Sequence, residues 1–126
     1  MRFSLSLLAL AALPFAPADS ARAAGASPIV AEIVTFKLND GVSDAEFVEI
    51  SKASEGFVST APGFISRQLS KGDDGVWTDY VLWQDMESAL AVGKAFPEQA
   101  FAPDLMGAIA SGSEQMRHQY VMWQME

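Results

Sequence analysis

The sequence predicts an α+β domain in which one antiparallel sheet of four strands carries its helices on one face. Three observations predict this fold class. Residues 64–70 and 76–83 are rich in strand-forming residues, and the segment 71–75 between them, KGDDG, is typical of a hairpin turn. A helical pattern lies on each side of the hairpin, and an apolar strand pattern lies at each end of the domain. The element order is therefore βαββαβ, the ferredoxin-like topology.

The first half of the domain begins with a strand over 29–38, because IVAEIVTFKL is dominated by β-branched and apolar residues. The turn at 39–41 (Asn-Asp-Gly) ends it. Ser43 then begins a helix, and with Glu46 three residues later it forms a Ser-x-x-Glu capping box. This helix is expected to end before the Ala-Pro-Gly segment at 61–63.

The second half follows the hairpin. Asp85 is predicted to cap a helix over 86–95, which Pro97 ends. A short helix is predicted over 103–109. The final strand is predicted over 115–125 (QMRHQYVMWQM).

The apolar residues of the strands predict a sheet buried on both faces, which the helices of one chain do not provide. Strand 29–38 is apolar on both faces, whereas the helices cover only one face of the sheet. A second subunit that stacks sheet to sheet would bury the other face. We therefore predict a homodimer, a dimeric α+β barrel.

Composition restricts the function classes. The chain has 126 residues, 50% of them hydrophobic, which suffices for one domain. The formal charge of −8 and the pI near 4.4 disfavour nucleic acid as a partner, because an acidic surface repels phosphates. Cysteine is absent from the sequence, which excludes disulfides and thiolate chemistry.

Residues 1–24 are predicted to be a secretory signal peptide. Arg2 precedes the apolar run 3–12, and small residues with the A-x-A form follow at 21–26. A buried N-terminal helix is the alternative. Cleavage would leave residues 25–126 as a periplasmic or secreted domain, with no membrane attachment.

Two segments resemble the dimeric α+β barrel superfamily. Residues 33–47, IVTFKLNDGVSDAEF, are similar to the opening strand and helix of stress-responsive A/B-barrel proteins. Residues 63–67 (GFISR), the hairpin and the segment 80–83 (YVLW) before a Gln-Asp-x-Glu-Ser helix start resemble antibiotic-biosynthesis monooxygenases, or ABM proteins. The resemblance covers about residues 29–123. It implies the barrel fold, and a superfamily that includes cofactor-free monooxygenases, haem-degrading enzymes, isomerases and members of unassigned role.

His118 and Glu32 are the candidate catalytic residues. His118 is the sole histidine and lies on the last predicted strand, while Glu32 interrupts the apolar first strand. In the predicted topology these strands are neighbours, so a carboxylate and an imidazole would face one cavity as an acid/base pair. The alternatives are a histidine satisfied within the core and a glutamate at the rim. One histidine without cysteine does not make a usual zinc site, and the Asn, Trp and His set of the haem-degrading relatives has no counterpart here, so neither metal nor cofactor is predicted.

Candidate substrate-binding residues lie on the hairpin and the last strand. Arg67 and Asp79 form either a cross-strand ion pair or a site for an anionic group. An apolar pocket for a planar ligand, or ordinary packing, is predicted for the strand aromatics. These aromatics are Trp77, Tyr80, Trp83 and Tyr120.

Two functions fit these patterns. The first is a cofactor-independent monooxygenase that acts on a small aromatic or polyketide-like molecule by proton abstraction. The second is a non-catalytic dimeric module that binds an apolar ligand or serves in a stress response. The sequence contains no phosphate loop, dinucleotide fingerprint or serine elbow that would point elsewhere.

Overall fold

The computed structural model describes residues 28–126. The predicted signal peptide, residues 1–24, lies outside the described residues. Elements are numbered here in chain order. They are β1 Val30–Phe36, α1 Asp44–Lys52, α2 Glu55–Ser59, β2 Phe64–Lys71, β3 Trp77–Trp83, α3 Met86–Ala95, a 3₁₀ turn Phe96–Glu98, α4 Ala102–Ala108 and β4 Gln115–Tyr120.

One sheet with the strand order β2-β3-β1-β4 organises the domain, and all of its pairings are antiparallel. The predicted α+β class and the four-stranded sheet are confirmed. The last strand is shorter than the predicted 115–125. Tyr120 pairs with Val30, the first residue of β1. Among residues 28–126, the chain beyond Tyr120 makes only one further backbone bond to this strand, from Val121 N to Ile29 O at 2.8 Å.

Local sequence signals place the turns and the helix starts. The Ser43 hydroxyl accepts from the Glu46 amide at 3.1 Å, and the Glu46 carboxylate accepts from the Ser43 amide at 3.4 Å, which completes the predicted capping box. Asp85 accepts from the Ser88 amide at 2.8 Å and caps α3 as predicted. In the hairpin turn, Gly75 has a φ of +81°, a conformation that favours glycine.

The single helix predicted to begin at Ser43 and to end before Ala61 is interrupted instead. The Ser51 hydroxyl donates to Phe47 O at 2.8 Å, and the Ser54 hydroxyl donates to Ser51 O at 2.6 Å. Such bonds from serine to nearby carbonyls compete with the helical ladder, so the chain forms α1 and α2 with a break between them.

The core lies between the helices and one face of the sheet. One cluster surrounds Trp83, which packs with Val30 on β1 and Ala89 on α3. A second cluster surrounds Phe47 of α1, whose ring centroid lies 5.1 Å from that of Trp77 and 5.4 Å from that of Phe36. Edge-to-face contacts of this kind add to the stabilisation from burial.

The opposite face of the sheet carries apolar side chains that the helices do not cover. Ile33 of β1 pairs with Tyr80 of β3, and Leu82 lies one step along the same face. All three side chains are half-buried in the single chain.

In the part of the chain that the structure describes, no helix is long and apolar enough to cross a membrane.

Candidate functional site

A row of polar side chains crosses the helix-covered face of the sheet. The register places Glu32 of β1 opposite both Val81 of β3 and His118 of β4. Arg67 of β2 is also opposite Val81, and Asp79 lies two residues before Val81 on the same face. Because side chains alternate along a strand, all four polar groups of the row point toward the helices.

Glu32 and His118 contact each other directly. Their Oε2 and Nε2 atoms are 2.8 Å apart, and the side chains are only 12% and 20% exposed. The sequence placed both residues on neighbouring strands, and the structure brings them together. When Glu32 is ionised, the Nε2–H of His118 donates to it, which orients the ring.

Burial raises the pKa of Glu32 above its ordinary value. The hydrogen bond and the charge of His118 oppose this shift, as does Arg67 at longer range, while Asp79 adds to it. The result is a carboxyl group that is a stronger base than an exposed glutamate. A general base benefits from a pKa close to the working pH.

Arg67 and Asp79 form the second half of the row. Nε of Arg67 donates to Oδ1 of Asp79 at 3.0 Å, and Nη2 donates to Oδ2 at 2.7 Å. Nη1 donates to the hydroxyl of Ser54 at 2.7 Å. The two residues thus form a bidentate ion pair between β2 and β3. A cross-strand ion pair was one of the two alternatives that the sequence left open for Arg67 and Asp79. Three of the five guanidinium N–H groups of Arg67 thus bond within the chain and hold Asp79 and Ser54.

Ser54 is a site residue that sequence reasoning did not single out. It lies at the break between α1 and α2 and is fully buried at 0% exposure. Its hydroxyl accepts from Arg67 and donates to Ser51 O, so it links the helix break to the polar row. The available signal was a serine at helical spacing from the buried Phe47 and the partly buried Ile50, because a polar side chain at a core position needs partners.

A partly open cavity of about 170 Å³ lies between the polar row and the helices. Glu32, Arg67 and Asp79 line its sheet side, and His118 stands behind Glu32. Apolar side chains form most of the remaining wall. They include Phe36, Phe47, Phe96, Leu105, Ile109 and Met116.

A second, more open groove adjoins this cavity. It measures about 370 Å³ and runs between β2 and the α1–α2 pair. Ser51 and Arg67 line both spaces. The Arg67 side chain therefore forms part of the wall between the cavity and the groove.

The aromatic residues predicted to line a pocket are placed elsewhere. Trp77 and Trp83 are core residues at 4% and 1% exposure, and the Nε1 of Trp83 has no partner among the described residues. Tyr80 lies on the opposite face of the sheet, because it pairs with Ile33 rather than with Glu32. Tyr120 is 55% exposed at the end of β4. Phenylalanines from β1, α1 and the 3₁₀ turn line the cavity instead.

Within residues 28–126, no three His, Cys, Asp or Glu side chains are grouped so that they could hold a metal ion. The polar row can therefore be described by its own chemistry: one ion pair, and one carboxylate–imidazole pair that can accept or release a proton. Both pairs are partly shielded from solvent.

Known proteins match the chain through structure rather than sequence. No family model and no curated protein matches it. The cofactor-independent oxygenase SnoaB from Streptomyces nogalater is 18% identical in a mutant form, with a TM-score of 0.61 over 78% of this chain and 97% of that chain. A Streptomyces coelicolor monooxygenase from the gene ActVA-Orf6, in complex with the ligand nanaomycin D, is 17% identical, with a TM-score of 0.57 over 79% of this chain and 92% of that chain.

Proteins without an established activity share the same architecture. A Bordetella bronchiseptica protein assigned as an antibiotic biosynthesis monooxygenase is 16% identical, with a TM-score of 0.62 over 77% of this chain and all of that chain. These matches confirm that the chain shares the α+β fold of these proteins. The chain thus has a monooxygenase-like fold, and its activity has to be argued from the site.

Proposed function

We propose that this protein is a cofactor-independent monooxygenase that acts on a small aromatic or polyketide-like molecule. One observation carries the proposal. Glu32, a shielded carboxylate with a raised pKa, faces an apolar cavity and is hydrogen-bonded to the only histidine of the chain. This pair suits the abstraction of a weakly acidic proton, because both of its side chains are largely shielded from solvent.

In the proposed reaction, Glu32 takes a proton from an electron-rich substrate bound against the apolar wall. His118 donates to the ionised carboxylate and keeps it oriented toward the cavity. The resulting carbanion or enolate then reacts with molecular oxygen. The overall conversion R₂CH₂ + O₂ → R₂C=O + H₂O balances without a cofactor, because the substrate supplies all of the electrons.

The second candidate is a non-catalytic dimeric module that binds an apolar ligand. The small size of the cavity supports it, as do the mutually paired polar groups beside the cavity. Oxygen consumption separates the two candidates. An enzyme consumes oxygen in proportion to product, whereas a binding module is stabilised by its ligand and consumes none.

The test is oxygen uptake with electron-rich hydroxyarenes and anthrone-type substrates, for the wild type, Glu32→Gln and Glu49→Gln. Glu49 is an exposed glutamate on α1, paired with Lys52, and its replacement changes the charge by the same amount. The rate should fall by about 10²–10⁴-fold in Glu32→Gln, the usual contribution of a general base, and stay unchanged in Glu49→Gln. Equal rates for the wild type and Glu32→Gln would remove the basis of the enzymatic proposal.

We also propose that the protein is exported and dimerises through the outer face of its sheet. The apolar run and the small-residue sites of residues 1–24 support export. The half-buried Ile33, Tyr80 and Leu82 support dimerisation, since a second sheet would cover them. Light scattering on the purified protein tests the dimer, and a stable monomer at micromolar concentration would contradict it. Fractionation of the source cells and N-terminal sequencing test the export.

A further inference from the structure

We propose that the ligand of the cavity is a neutral, single-ring hydroxyarene whose hydroxyl group bonds to Glu32. The proposal names a substrate class for the site described above and so rests on the proposed function. It is narrower than "small aromatic or polyketide-like", because it excludes fused ring systems and carboxylates. Size, charge and the position of a free acceptor each contribute to it.

Cavity volume limits the size of the ligand. The space measures about 170 Å³. An apolar cavity of about 150 Å³ accommodates benzene, whereas pockets for drug-sized ligands span about 300–1,000 Å³. One substituted ring therefore fills the cavity. Its wall residues Phe47 and Leu105 are 1% and 7% exposed and belong to the packed core, so the cavity cannot widen on that side without disrupting the core.

Charge excludes an anionic ligand. Among the described residues that line the cavity, three carry carboxylates, Glu32, Asp79 and Glu114, and Arg67 alone is cationic. The guanidinium of Arg67 already binds both oxygens of Asp79 and the hydroxyl of Ser54. With Asp79 balanced by Arg67, the carboxylates of Glu32 and Glu114 leave the lining with an excess of negative groups, which would repel a bound carboxylate. The sequence-based alternative in which Arg67 binds an anionic group is disfavoured by the same contacts.

The free acceptor determines which polar group the ligand carries. Glu32 Oε2 contacts His118, while Glu32 also lines the cavity. A carboxylate has more acceptor capacity than one bond uses, so a hydroxyl from the ligand has a partner there. Asp79 accepts two bonds from Arg67 through both of its oxygens and is the less available of the two acceptors.

The test compares four probes by NMR titration of the purified protein. The probes are para-cresol, para-xylene (which replaces the hydroxyl by a methyl group), para-toluate (a carboxylate) and anthrol (three fused rings). Para-cresol should bind at least about tenfold more tightly than para-xylene, since a hydrogen bond to a charged group is worth about 1.5–3 kcal/mol. Para-toluate and anthrol should bind more weakly than para-cresol.

Variants assign the binding to this cavity. Glu32→Gln should weaken the preference for para-cresol over para-xylene, and Glu49→Gln should leave it unchanged. Ile109→Phe reduces the volume of the cavity without changing a residue of the polar row, and it should abolish para-cresol binding. This variant still tests the site if Glu32→Gln does not fold. Tighter binding of anthrol, equal binding of para-toluate, or no binding of para-cresol would each overturn the inference.

The two proposals fail in different ways. If para-cresol binds with the predicted dependence on Glu32 but no hydroxyarene causes oxygen uptake, the ligand class stands and the monooxygenase proposal falls. If oxygen uptake depends on Glu32 but only fused-ring substrates bind, the monooxygenase proposal stands and the ligand class falls.

Discussion

Replacing Arg67 with methionine should destabilise the domain strongly, because the partly buried Asp79 and the buried Ser54 would both lose a hydrogen-bond donor. Asp79 would lose both of its bonds from the guanidinium, and Ser54 would lose the donor to its hydroxyl. Removing one member of a buried ion pair costs about 3–5 kcal/mol. The side chains of Arg67 and Asp79 are 16% and 18% exposed. We therefore expect the lower end of that range, about 3 kcal/mol of unfolding free energy.

A double variant distinguishes the stability cost of leaving Asp79 unpaired from the cost of removing the whole Arg67–Asp79 ion pair. When Arg67→Met is combined with Asp79→Leu, no unpaired charge remains in the row between β2 and β3. Replacement of a buried pair by apolar residues is often nearly neutral, so the double variant should recover to within about 1 kcal/mol of the wild type. The recovery measures how much of the cost in Arg67→Met comes from the unpaired carboxylate.

Urea unfolding followed by tryptophan fluorescence measures these changes, because Trp77 and Trp83 are buried in the core. For a domain of this size, a loss of about 3 kcal/mol lowers the Tm by roughly 12 °C or more. Lys52→Met is the matched control. It breaks the exposed pair with Glu49, whose two side chains are 54% and 71% exposed, and should cost less than about 1 kcal/mol. If Arg67→Met costs no more than Lys52→Met, the ion pair does not stabilise the domain as argued.

Three further predictions concern single sites. Ser43→Ala should lower the unfolding free energy by about 1 kcal/mol, because the Glu46 amide loses its cap; urea unfolding measures this. Gly63→Ala should cost more than about 1 kcal/mol in the same assay, since Gly63 has a φ of +84° and its new methyl group would collide with Ser88. The third prediction is a pH dependence. The pKa of Glu32 is raised by burial in the folded state, so its contribution to stability is present below the ordinary pKa of about 4.3 and is lost as the pH rises through the folded pKa. As the pH rises from the ordinary pKa of a glutamate to above the folded pKa of Glu32, the wild type should lose stability relative to Glu32→Gln. Unfolding measured at a series of pH values detects this difference.

Matched controls sharpen these predictions. Gly56 lies in α2 and has open space where a methyl group would be added, so Gly56→Ala should be neutral or stabilising. An equal cost in Gly56→Ala and Gly63→Ala would argue against the collision with Ser88. Ser43→Thr keeps the capping oxygen and should retain most of the stability. A parallel pH dependence in the wild type and Glu32→Gln would show that the burial of Glu32 does not control it.

Much of the fold can be predicted from local patterns. The capping box at Ser43, the cap at Asp85 and the hairpin turn before Trp77 depend on contacts within a few residues, and all three are present. The pairing of β1 with β4 follows from the predicted topology, which is why Glu32 and His118 could be proposed as neighbours although 86 positions separate them. The resemblance to the α+β barrel superfamily points to the same topology.

Other features depend on contacts that no local pattern encodes. The bond from Arg67 to the Ser54 hydroxyl joins residues 13 positions apart, and it links the break between α1 and α2 to the sheet. The roles of the aromatic residues depend on which face of β3 meets the helices. Trp77 became a core residue because it faces the α1 ring of Phe47, and Tyr80 lies on the other side.

By itself, the sequence determined the element order, the turns, the helix caps and the residues able to perform acid/base chemistry, because these follow from periodicity and from short-range hydrogen bonds. The tertiary structure alone decided the 2.8 Å contact between Glu32 and His118, the pair of hydrogen bonds from Arg67 to Asp79 and the volume of the cavity. The physical reason is that strand register and side-chain packing are set by the whole core at once. A one-residue change of register would turn Glu32 to the opposite face and remove the site.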